Sequence, residues 1–188
     1  MATRPKKLGH SFYRRHSIDL ARDLIGKILV RRVDAKEYRA RIVETEAYVG
    51  THDLACHASK GCTRRTQVMF GPGGHAYVYL IYGIHEMLNI VASVESDAQA
   101  VLIRAAEPLD GWKANLSGPG KLTQALRITR ALNGIDLTGD ELFLLDSTAA
   151  PARLVTTKRV GVDYAGEWKD APLRFFDADS RAVSKPKT

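Results

Sequence analysis

The sequence predicts a single-domain α+β fold, in which helices flank a mixed or antiparallel, curved β-sheet. Short segments rich in β-branched and aromatic residues recur along the chain, and turn residues separate them. Strands and helices do not alternate regularly, and no glycine-rich nucleotide motif follows the first strand, which argues against a doubly wound parallel sheet. The length of 188 residues suits one domain that packing alone can stabilise.

The first elements are predicted to be a helix and a β-hairpin. Ser17 fits the cap of a short helix that Gly26 ends. Residues 28–33 then have the composition of a strand, and a polar turn at 34–37 leads into a second strand at 38–48. The two strands are close enough in sequence to pair with each other.

A long polar loop at 50–74 separates this hairpin from the later elements. A helix over 121–132 begins after a Gly-Pro-Gly turn and stops at an Asn-Gly pair, so it is expected to cover one face of the sheet. The further predicted strands lie at 76–82, 88–94, 100–105, 141–145, 154–158 and 173–176.

The domain is predicted to span residues 9–179, between a flexible basic arm at 1–8 and a flexible basic tail at 180–188. The net charge of +7 is concentrated in residues 1–32, which hold nine lysines and arginines against two aspartates. A positive field at one end attracts polyanions, so nucleic acid or an anionic surface is the expected partner. The alternative is a solubilising segment, since basic runs are commonly solvated surface.

Several classes of protein are disfavoured. Cys56 and Cys62 are too few for a disulfide framework, and no N-terminal segment resembles a signal peptide, so a reducing cytoplasm is the expected location. The most apolar segment, at 76–84, is less than half of the roughly 20 residues that a membrane-spanning helix needs. Histidines and cysteines could ligate zinc, but their spacing matches no zinc motif, and no metal is expected.

Two glutamates and a group of tyrosines are the candidates for chemistry. Ile42, Glu44, Glu46 and Tyr48 alternate along the second strand, so their side chains should share one face. A glutamate among apolar groups gains the proton affinity of a general base, whereas on a solvent-facing strand both glutamates would be surface residues. Tyr48 and the tyrosines of 76–82 could stack on flat, cationic bases, or could pack in a core.

The turn at 117–121 is a candidate anion site. Free backbone amides at the start of the predicted helix, together with Lys121, would favour a phosphate. The full phosphate-binding motif of nucleotide hydrolases is absent, so nucleotide hydrolysis is not indicated. Contact with a DNA phosphate stays open, and so does an ordinary turn before a helix.

Four segments together resemble the 3-methyladenine DNA glycosylase family, of the alkyladenine type. They are RIVETEAY at 41–48, YVYLIYG at 77–83, SGPGKL at 117–122 and RVGV at 159–162. Four motifs in the same order, over about 17–176, are far more specific than one. The resemblance implies a monofunctional enzyme of base excision repair, without cofactors, that flips damaged purines out of duplex DNA and hydrolyses their N-glycosidic bond. The implied substrates are 3-methyladenine and 7-methylguanine, with hypoxanthine and ethenoadenine as further candidates.

The same resemblance assigns roles to particular residues. Glu46 would deprotonate the attacking water, with Arg104 and the backbone carbonyl of Val160 beside that water. Tyr82, on a protruding β-hairpin that enters the DNA minor groove, would fill the space that the flipped nucleotide leaves. The base pocket would be formed by Tyr48, His57, Tyr79 and Asn89. The contacts with the DNA backbone would be made by Arg65, Lys121 and Arg159.

One segment departs from the family, and two other functions remain open. Residues 63–66 read Thr-Arg-Arg-Thr where the family commonly has Thr-Pro-Arg followed by Asn or Thr, so a flexible cation replaces a stiff proline. The chain could instead be a non-catalytic nucleic-acid-binding module that uses its basic arm and tyrosines to hold strands. It could also be a formyl-group transferase, because such enzymes share the fold, although no pterin-binding motif supports this. A monomer associated with the bacterial nucleoid is expected.

Overall fold

The computed structural model describes residues 5–94, 97–147 and 153–186. Within these ranges, three short α-helices and several 3-10 turns surround one eight-stranded sheet. The helices are α1 (His10–Tyr13), α2 (Ser17–Leu24) and α3 (Pro119–Ala125). The strands are β1 (Ile28–Val33), β2 (Lys36–Tyr48), β3 (Ala76–Ile81), β4 (His85–Val94), β5 (Asp97–Pro108), β6 (Leu142–Leu145), β7 (Leu154–Thr157) and β8 (Arg174–Asp177).

All strand pairs in this sheet are antiparallel, and the predicted α+β class is confirmed. The main path runs β3-β4-β5-β2-β1-β6, while β8 pairs with both β2 and β7. Short connections such as the β3–β4 and β1–β2 turns favour antiparallel neighbours. The open choice between a mixed and an antiparallel sheet is therefore decided for the antiparallel one.

Strand β2 lies at the centre of the sheet, where it pairs with three other strands. Its first half pairs with β1, residues 44–46 pair with β8, and β5 runs along its other edge. Register shifts between Ile42 and Thr45 mark a β-bulge, which bends a strand and increases its twist. The segment that carries Glu44 and Glu46 is thus flanked by strands on both sides, deep in the domain.

The two faces of β2 have different partners. Leu20 and Leu24, one turn apart on α2, are fully buried and belong to the same apolar cluster as Ile42. The Thr45 hydroxyl donates to the Ala21 carbonyl of α2 at 2.8 Å, which ties this helix to one face of the strand. Alternation alone would place Ile42 on the same face as Glu44 and Glu46, but the β-bulge shifts it, so Ile42 and Thr45 face α2 while the two glutamates project from the opposite face.

Some predicted boundaries differ from the structure for local reasons. His16, rather than Ser17, caps α2, because its Nδ1 accepts the Ile18 backbone N–H at 3.3 Å while Ser17 is the first helical residue and is buried. The helix predicted over 121–132 is α3 followed by a separate 3-10 turn at Arg130–Leu132. Arg127, in the left-handed region with φ +50°, interrupts it.

Parts of both predicted flexible segments are packed against the domain, which corrects those boundaries. Leu8 is 8% exposed, and its backbone N–H donates to the Leu144 carbonyl on β6 at 2.9 Å. Residues 180–186, which we call the C-terminal segment, bury Val183 and Ser184. An apolar side chain and backbone partners hold each segment, although both read as polar in sequence. Residues 1–4 and 187–188 lie outside the described ranges.

The basic residues near the N-terminus are largely held in ion pairs. Their carboxylate partners come mainly from distant positions, and the pairs are Lys7–Asp140, Arg15–Asp23, Lys27–Asp146, Arg31–Glu141 and Arg32–Glu37. Folding therefore neutralises much of the excess that a count along the chain suggests, because an electric field depends on positions in space. These cations contribute less to a positive surface than expected. No helix in the described ranges has both the length and the apolar character to cross a membrane.

Candidate active site

A cavity of about 260 Å³ opens between strands β2–β5 and the loops that follow β2 and β7. Its volume suits one small molecule or group rather than a polymer. Leu102, Met87 and Val162 supply apolar surface, and Arg104 supplies a charge. Its aromatic lining consists of Tyr48, His57, Tyr77, Tyr79, Tyr82 and Tyr164. The cavity therefore offers many ring faces and few polar groups.

Glu46 is fully buried directly behind the wall of this cavity, which its partners line. The Tyr48 hydroxyl donates to its Oε2 at 3.0 Å, and the Val160 backbone N–H donates to its Oε1 at 2.7 Å. Arg104 places Nη1 3.4 Å from Oε2. All three partners line the cavity, so the carboxylate is held in one orientation directly behind its surface.

Three neighbouring strands bring this polar wall together. Glu46 on β2 lies opposite Leu102 on β5, and Leu102 lies opposite Asn89 on β4. Arg104 follows two residues after Leu102 and therefore points to the same face. The solvent-facing alternative for the glutamates is contradicted, since both Glu44 and Glu46 are 0% exposed.

The aromatic wall is built by β3 and by the 3-10 turn His57–Lys60. The His57 and Tyr79 rings lie 4.5 Å apart between centroids in an edge-to-face arrangement, and His57 Nδ1 contacts the Tyr77 hydroxyl at 2.9 Å. Burial, and secondarily the charge of Arg65, lowers the pKa of His57 to about 4. Burial raises the pKa of Tyr48, so its hydroxyl keeps the proton that it donates to Glu46. At neutral pH this wall is uncharged.

We expect the His57 imidazole to titrate with a midpoint near pH 4, because burial disfavours its cationic form. The midpoint is measurable from the 15N shifts of the ring in a histidine-labelled protein between pH 3.5 and 8. In Arg65→Gln the midpoint should move upward, since a neighbouring positive charge has been removed. A midpoint near 6.5 in the unmodified protein would mean that water reaches the ring.

Asn89 and Tyr82 are the residues that the resemblance assigns to the base pocket and to the hairpin. Asn89 lines the cavity, and its Nδ2 donates to the Tyr77 carbonyl at 3.2 Å, which fixes the orientation of its amide. Tyr82 stands at the turn between β3 and β4 with φ +52° and is 86% exposed. Ile84, at the same turn, is 72% exposed. The hairpin thus presents two large apolar side chains to solvent at the cavity mouth.

Of the three predicted contacts with the DNA backbone, Arg65 and Lys121 are exposed and Arg159 is not. The Arg65 guanidinium lies 5.0 Å over the Tyr79 ring, beside the cavity, and Lys121 lies in the first turns of α3. The Arg159 side chain is 0% exposed and bonds both Asp53 oxygens, at 2.6 and 2.9 Å. This burial leaves no surface for a phosphate, so the assignment of Arg159 is corrected to a role inside the fold.

The buried Arg159–Asp53 pair is a feature that sequence reasoning missed. Arg159 also donates to the Ala47 carbonyl at 3.0 Å, and Asp53 accepts the backbone N–H groups of Val49 and Ala55. The pair therefore ties the end of β2 to the segment that carries Val160. Its one sequence signal is an acidic residue in an otherwise neutral part of the 50–74 loop, which is too weak to pair it with a residue 106 positions away.

The resemblance and the structure give different roles to the backbone of Val160. The resemblance assigns its carbonyl to the water, whereas the structure shows its backbone N–H bound to Glu46. Gly161, which follows it with φ +75°, provides the left-handed turn that this segment needs. Val160 thus orients the carboxylate through its amide.

Cysteine chemistry is not favoured in the cavity. Cys56 is buried, and burial raises the pKa of its thiol to about 11, so the nucleophilic thiolate is scarce at neutral pH. In the part of the chain that the structure describes, no three His, Cys, Asp or Glu side chains gather to hold a metal ion. The ionised groups that the cavity wall offers are then Arg104 and the carboxylate of Glu46 behind it.

Comparison with known proteins gives consistent matches over nearly the whole chain. The family model described as methylpurine-DNA glycosylase matches residues 11–181. A protein of Methanocella arvoryzae is 49% identical to this chain, and the alignment covers 95% of this chain and 96% of the relative. A protein of Legionella pneumophila strain Lens is 46% identical, with 96% and 99% covered, and one of Anaeromyxobacter sp. strain Fw109-5 is 51% identical, with 95% and 93% covered. All three are named as candidate 3-methyladenine DNA glycosylases.

These matches include all four segments on which the resemblance rests, and they confirm it. The matched residues also contain Glu46, Arg104 and the aromatic lining of the cavity. The chain therefore belongs to the methylpurine-DNA glycosylase family of DNA-repair hydrolases.

Proposed function

We propose that this protein flips alkylated or deaminated purines out of duplex DNA and hydrolyses their N-glycosidic bond with a water that Glu46 activates. The proposed substrates are 3-methyladenine and 7-methylguanine, with hypoxanthine and ethenoadenine as further candidates. One observation carries this proposal: a fully buried carboxylate, oriented by three donors, stands behind the wall of a cavity lined with aromatic rings. Binding of DNA strands does not require a buried carboxylate of this kind, whereas hydrolysis requires a general base.

In the proposed reaction, water displaces the purine from the deoxyribose. A water oxygen bonds to the anomeric carbon of the deoxyribose while one of its protons passes to the Glu46 carboxylate. The N-glycosidic bond breaks, and its electron pair leaves on the purine nitrogen, so an abasic site remains. An alkylated purine starts as a cation and leaves as a neutral base, whereas an uncharged purine leaves with an added electron pair and must take a proton from a second water as it departs. Cationic purines should therefore react most readily.

The cavity suits a flat cation. The faces of Tyr48 and Tyr79 attract positive charge through the ring quadrupole, and the neutral His57 does not repel it. Asn89 on β4 lies on the cavity wall between β3, which carries Tyr79, and β5, which carries Arg104, and its fixed amide would exclude an exocyclic amine of normal guanine there. Contacts of this kind select a damaged base after it has left the stack.

The reaction is proposed to end at the abasic site, without strand cleavage. A lyase step begins when an amine attacks the sugar to form a Schiff base. Within the described ranges, the cavity wall holds one cationic side chain, the guanidinium of Arg104, and no lysine. A guanidinium stays protonated and cannot act as that nucleophile.

The test is incubation of methylated DNA with the protein, followed by chromatography for free purines. We expect 3-methyladenine and 7-methylguanine to be released, and a duplex with one hypoxanthine to be processed more slowly. DNA that is bound but releases no purine would leave the alternative function, a non-catalytic nucleic-acid-binding module. That the protein acts as a monomer in the cytoplasm, associated with the nucleoid, stays a prediction.

Tyr82 is proposed to hold the flipped state by filling the gap in the duplex. Its high exposure at the tip of a narrow hairpin suits insertion between base pairs. Tyr82→Ala should weaken binding to a hypoxanthine-containing duplex about tenfold or more, because flipping costs a few kcal/mol that the inserted ring offsets. Fluorescence anisotropy with a labelled duplex measures this loss.

Tyr82→Phe is the matched control, since it keeps the ring and removes only the hydroxyl. It should bind the damaged duplex within about twofold of the unmodified protein, because the filling of space is a property of the ring. Equal losses of affinity in both variants would show that the hydroxyl accounts for the loss, and would contradict the proposal that the Tyr82 ring fills the gap in the duplex. In Tyr82→Ala, binding of a free base analogue should weaken much less than binding of the damaged duplex, because only the flipped duplex has a gap to fill.

A further inference from the structure

A second buried carboxylate lies beside the proposed base. Glu44 is 0% exposed, two residues before Glu46 on the same face of β2. Its Oε1 accepts the Nε–H of Arg104 at 3.0 Å and the Nε–H of Arg174 on β8 at 2.7 Å. Arg104 thus bridges the two carboxylates, because its Nη1 lies 3.4 Å from Glu46.

The C-terminal segment closes this cluster. The Ser184 backbone N–H donates to Glu44 Oε2 at 2.7 Å, and the Ser184 hydroxyl donates to Glu44 Oε1 at 2.9 Å. The same hydroxyl accepts the Nη2–H of Arg104 at 3.3 Å. Arg174 donates in turn to the carbonyls of Ser184 and Pro186, at 3.2 and 2.7 Å. A segment 140 residues from Glu44 in sequence therefore supplies its last hydrogen bonds.

These contacts determine where the Arg104 guanidinium points. A guanidinium is planar, so fixing two of its nitrogens fixes the third. Glu44 holds Nε and Ser184 holds Nη2, which leaves Nη1 facing Glu46. Arg104 is only 7% exposed, so most of its surroundings are these protein groups rather than solvent.

We propose that Glu44 and Ser184 are positioning residues, which act through Arg104 on Glu46, and that the C-terminal segment contributes Ser184 to the active site. This inference rests on the proposed function, since it assumes that Glu46 is the general base. The competing role is purely structural: Glu44 would only neutralise two buried arginines. That role predicts a loss of stability, whereas positioning predicts a slower chemical step in fully folded protein.

The test is the single-turnover rate of hypoxanthine release, with protein in excess over the duplex. Ser184→Ala removes one buried hydroxyl and keeps the backbone bond to Glu44, so we expect it to fold. Its rate should fall about tenfold, and its affinity for the duplex should stay within about threefold. Glu44→Gln, which keeps shape and loses charge, should lower the rate at least as much.

Ser180→Ala is the matched control. Ser180 lies in the same C-terminal segment, but its hydroxyl donates to Glu107 at 2.5 Å, away from the Glu44 cluster. Its release rate should stay within about twofold of the unmodified protein. Unfolding in urea, followed for every variant, confirms that the assayed protein is folded.

A double-mutant cycle decides whether the effect passes through Arg104. In an Arg104→Met background, Ser184→Ala should change the rate by less than about twofold, because the group it positions is gone. A tenfold loss that persists in this background overturns the inference, and so does a full rate in folded Ser184→Ala protein. If Glu44→Gln does not fold, the Ser184 cycle alone decides between positioning and a purely structural role. An unmodified protein that releases no purine would instead reject the proposed function.

Discussion

Glu46→Gln is expected to lower the single-turnover rate of purine release by about 10²–10⁴-fold, the contribution of a general base. Glutamine has the shape of glutamate but cannot take a proton from water. Its affinity for damaged duplex should stay within a few-fold, because the rings that stack on the base are unchanged. The measurement pairs a release assay at excess protein with a binding titration on the same duplex.

The hydrogen bonds around Glu46 predict how the glutamine would sit. The Val160 N–H requires an acceptor, so the amide oxygen should replace Oε1. The amide nitrogen would then face the Tyr48 hydroxyl, which can rotate to accept, and Arg104, which cannot. Some displacement of Arg104 is expected, and this adds to the loss of rate.

The control for this prediction is Glu37→Gln on the same strand. Glu37 is exposed and pairs with Arg32 at 2.8 Å, far along β2 from the cavity. Its release rate should equal that of the unmodified protein. If Glu46→Gln released purines at an undiminished rate, Glu46 would not be the base.

Asp53→Ala should have the largest effect on stability, a loss of about 3–5 kcal/mol in the free energy of unfolding. The change removes the carboxylate that pairs with both terminal nitrogens of Arg159, and the guanidinium then stays buried without a counter-charge. Two backbone N–H groups, of Val49 and Ala55, lose their acceptor as well. Urea unfolding followed by circular dichroism measures the change.

Two further variants distinguish the loss of the Asp53–Arg159 ion pair from a nonspecific effect of substitution on stability. Asp163→Ala removes an exposed carboxylate near the same segment and should change the free energy of unfolding by less than about 0.5 kcal/mol. The double variant Asp53→Ala with Arg159→Met should recover part of the loss, because no unpaired charge remains buried. A loss in the double variant equal to the sum of both single losses would show that the two side chains do not stabilise each other.

Strand β2 shows what the local sequence pattern can predict and what it cannot. Alternation along a strand is a backbone property, so the shared face of Glu44, Glu46 and Tyr48 follows from their spacing. The hydrogen bond between Tyr48 and Glu46 agrees with that prediction. Spacing could not tell whether this face meets solvent or protein, because that depends on β8 and the C-terminal segment, which arrive from the far end of the chain.

Charge is the property least accessible to sequence reasoning. Lys7 and Lys27 belong to the positive N-terminal run, yet each contacts an aspartate more than 100 residues away. Arg159 is predicted at the DNA surface and lies inside the domain. A charged residue looks the same in sequence whether it faces water, DNA or a buried partner, and only burial distinguishes these cases.

The sequence by itself determined the α+β class, the family, and the placement of Glu44, Glu46 and Tyr48 on one face of a strand. These features follow from local periodicity and from motifs, which are encoded by neighbouring residues. Only the tertiary structure decided which oxygen of Glu46 meets Tyr48, that Asp53 clamps Arg159, and that Ser184 completes the surroundings of Arg104. Such contacts join residues far apart in the chain, and their partners are selected by the packing of the whole domain.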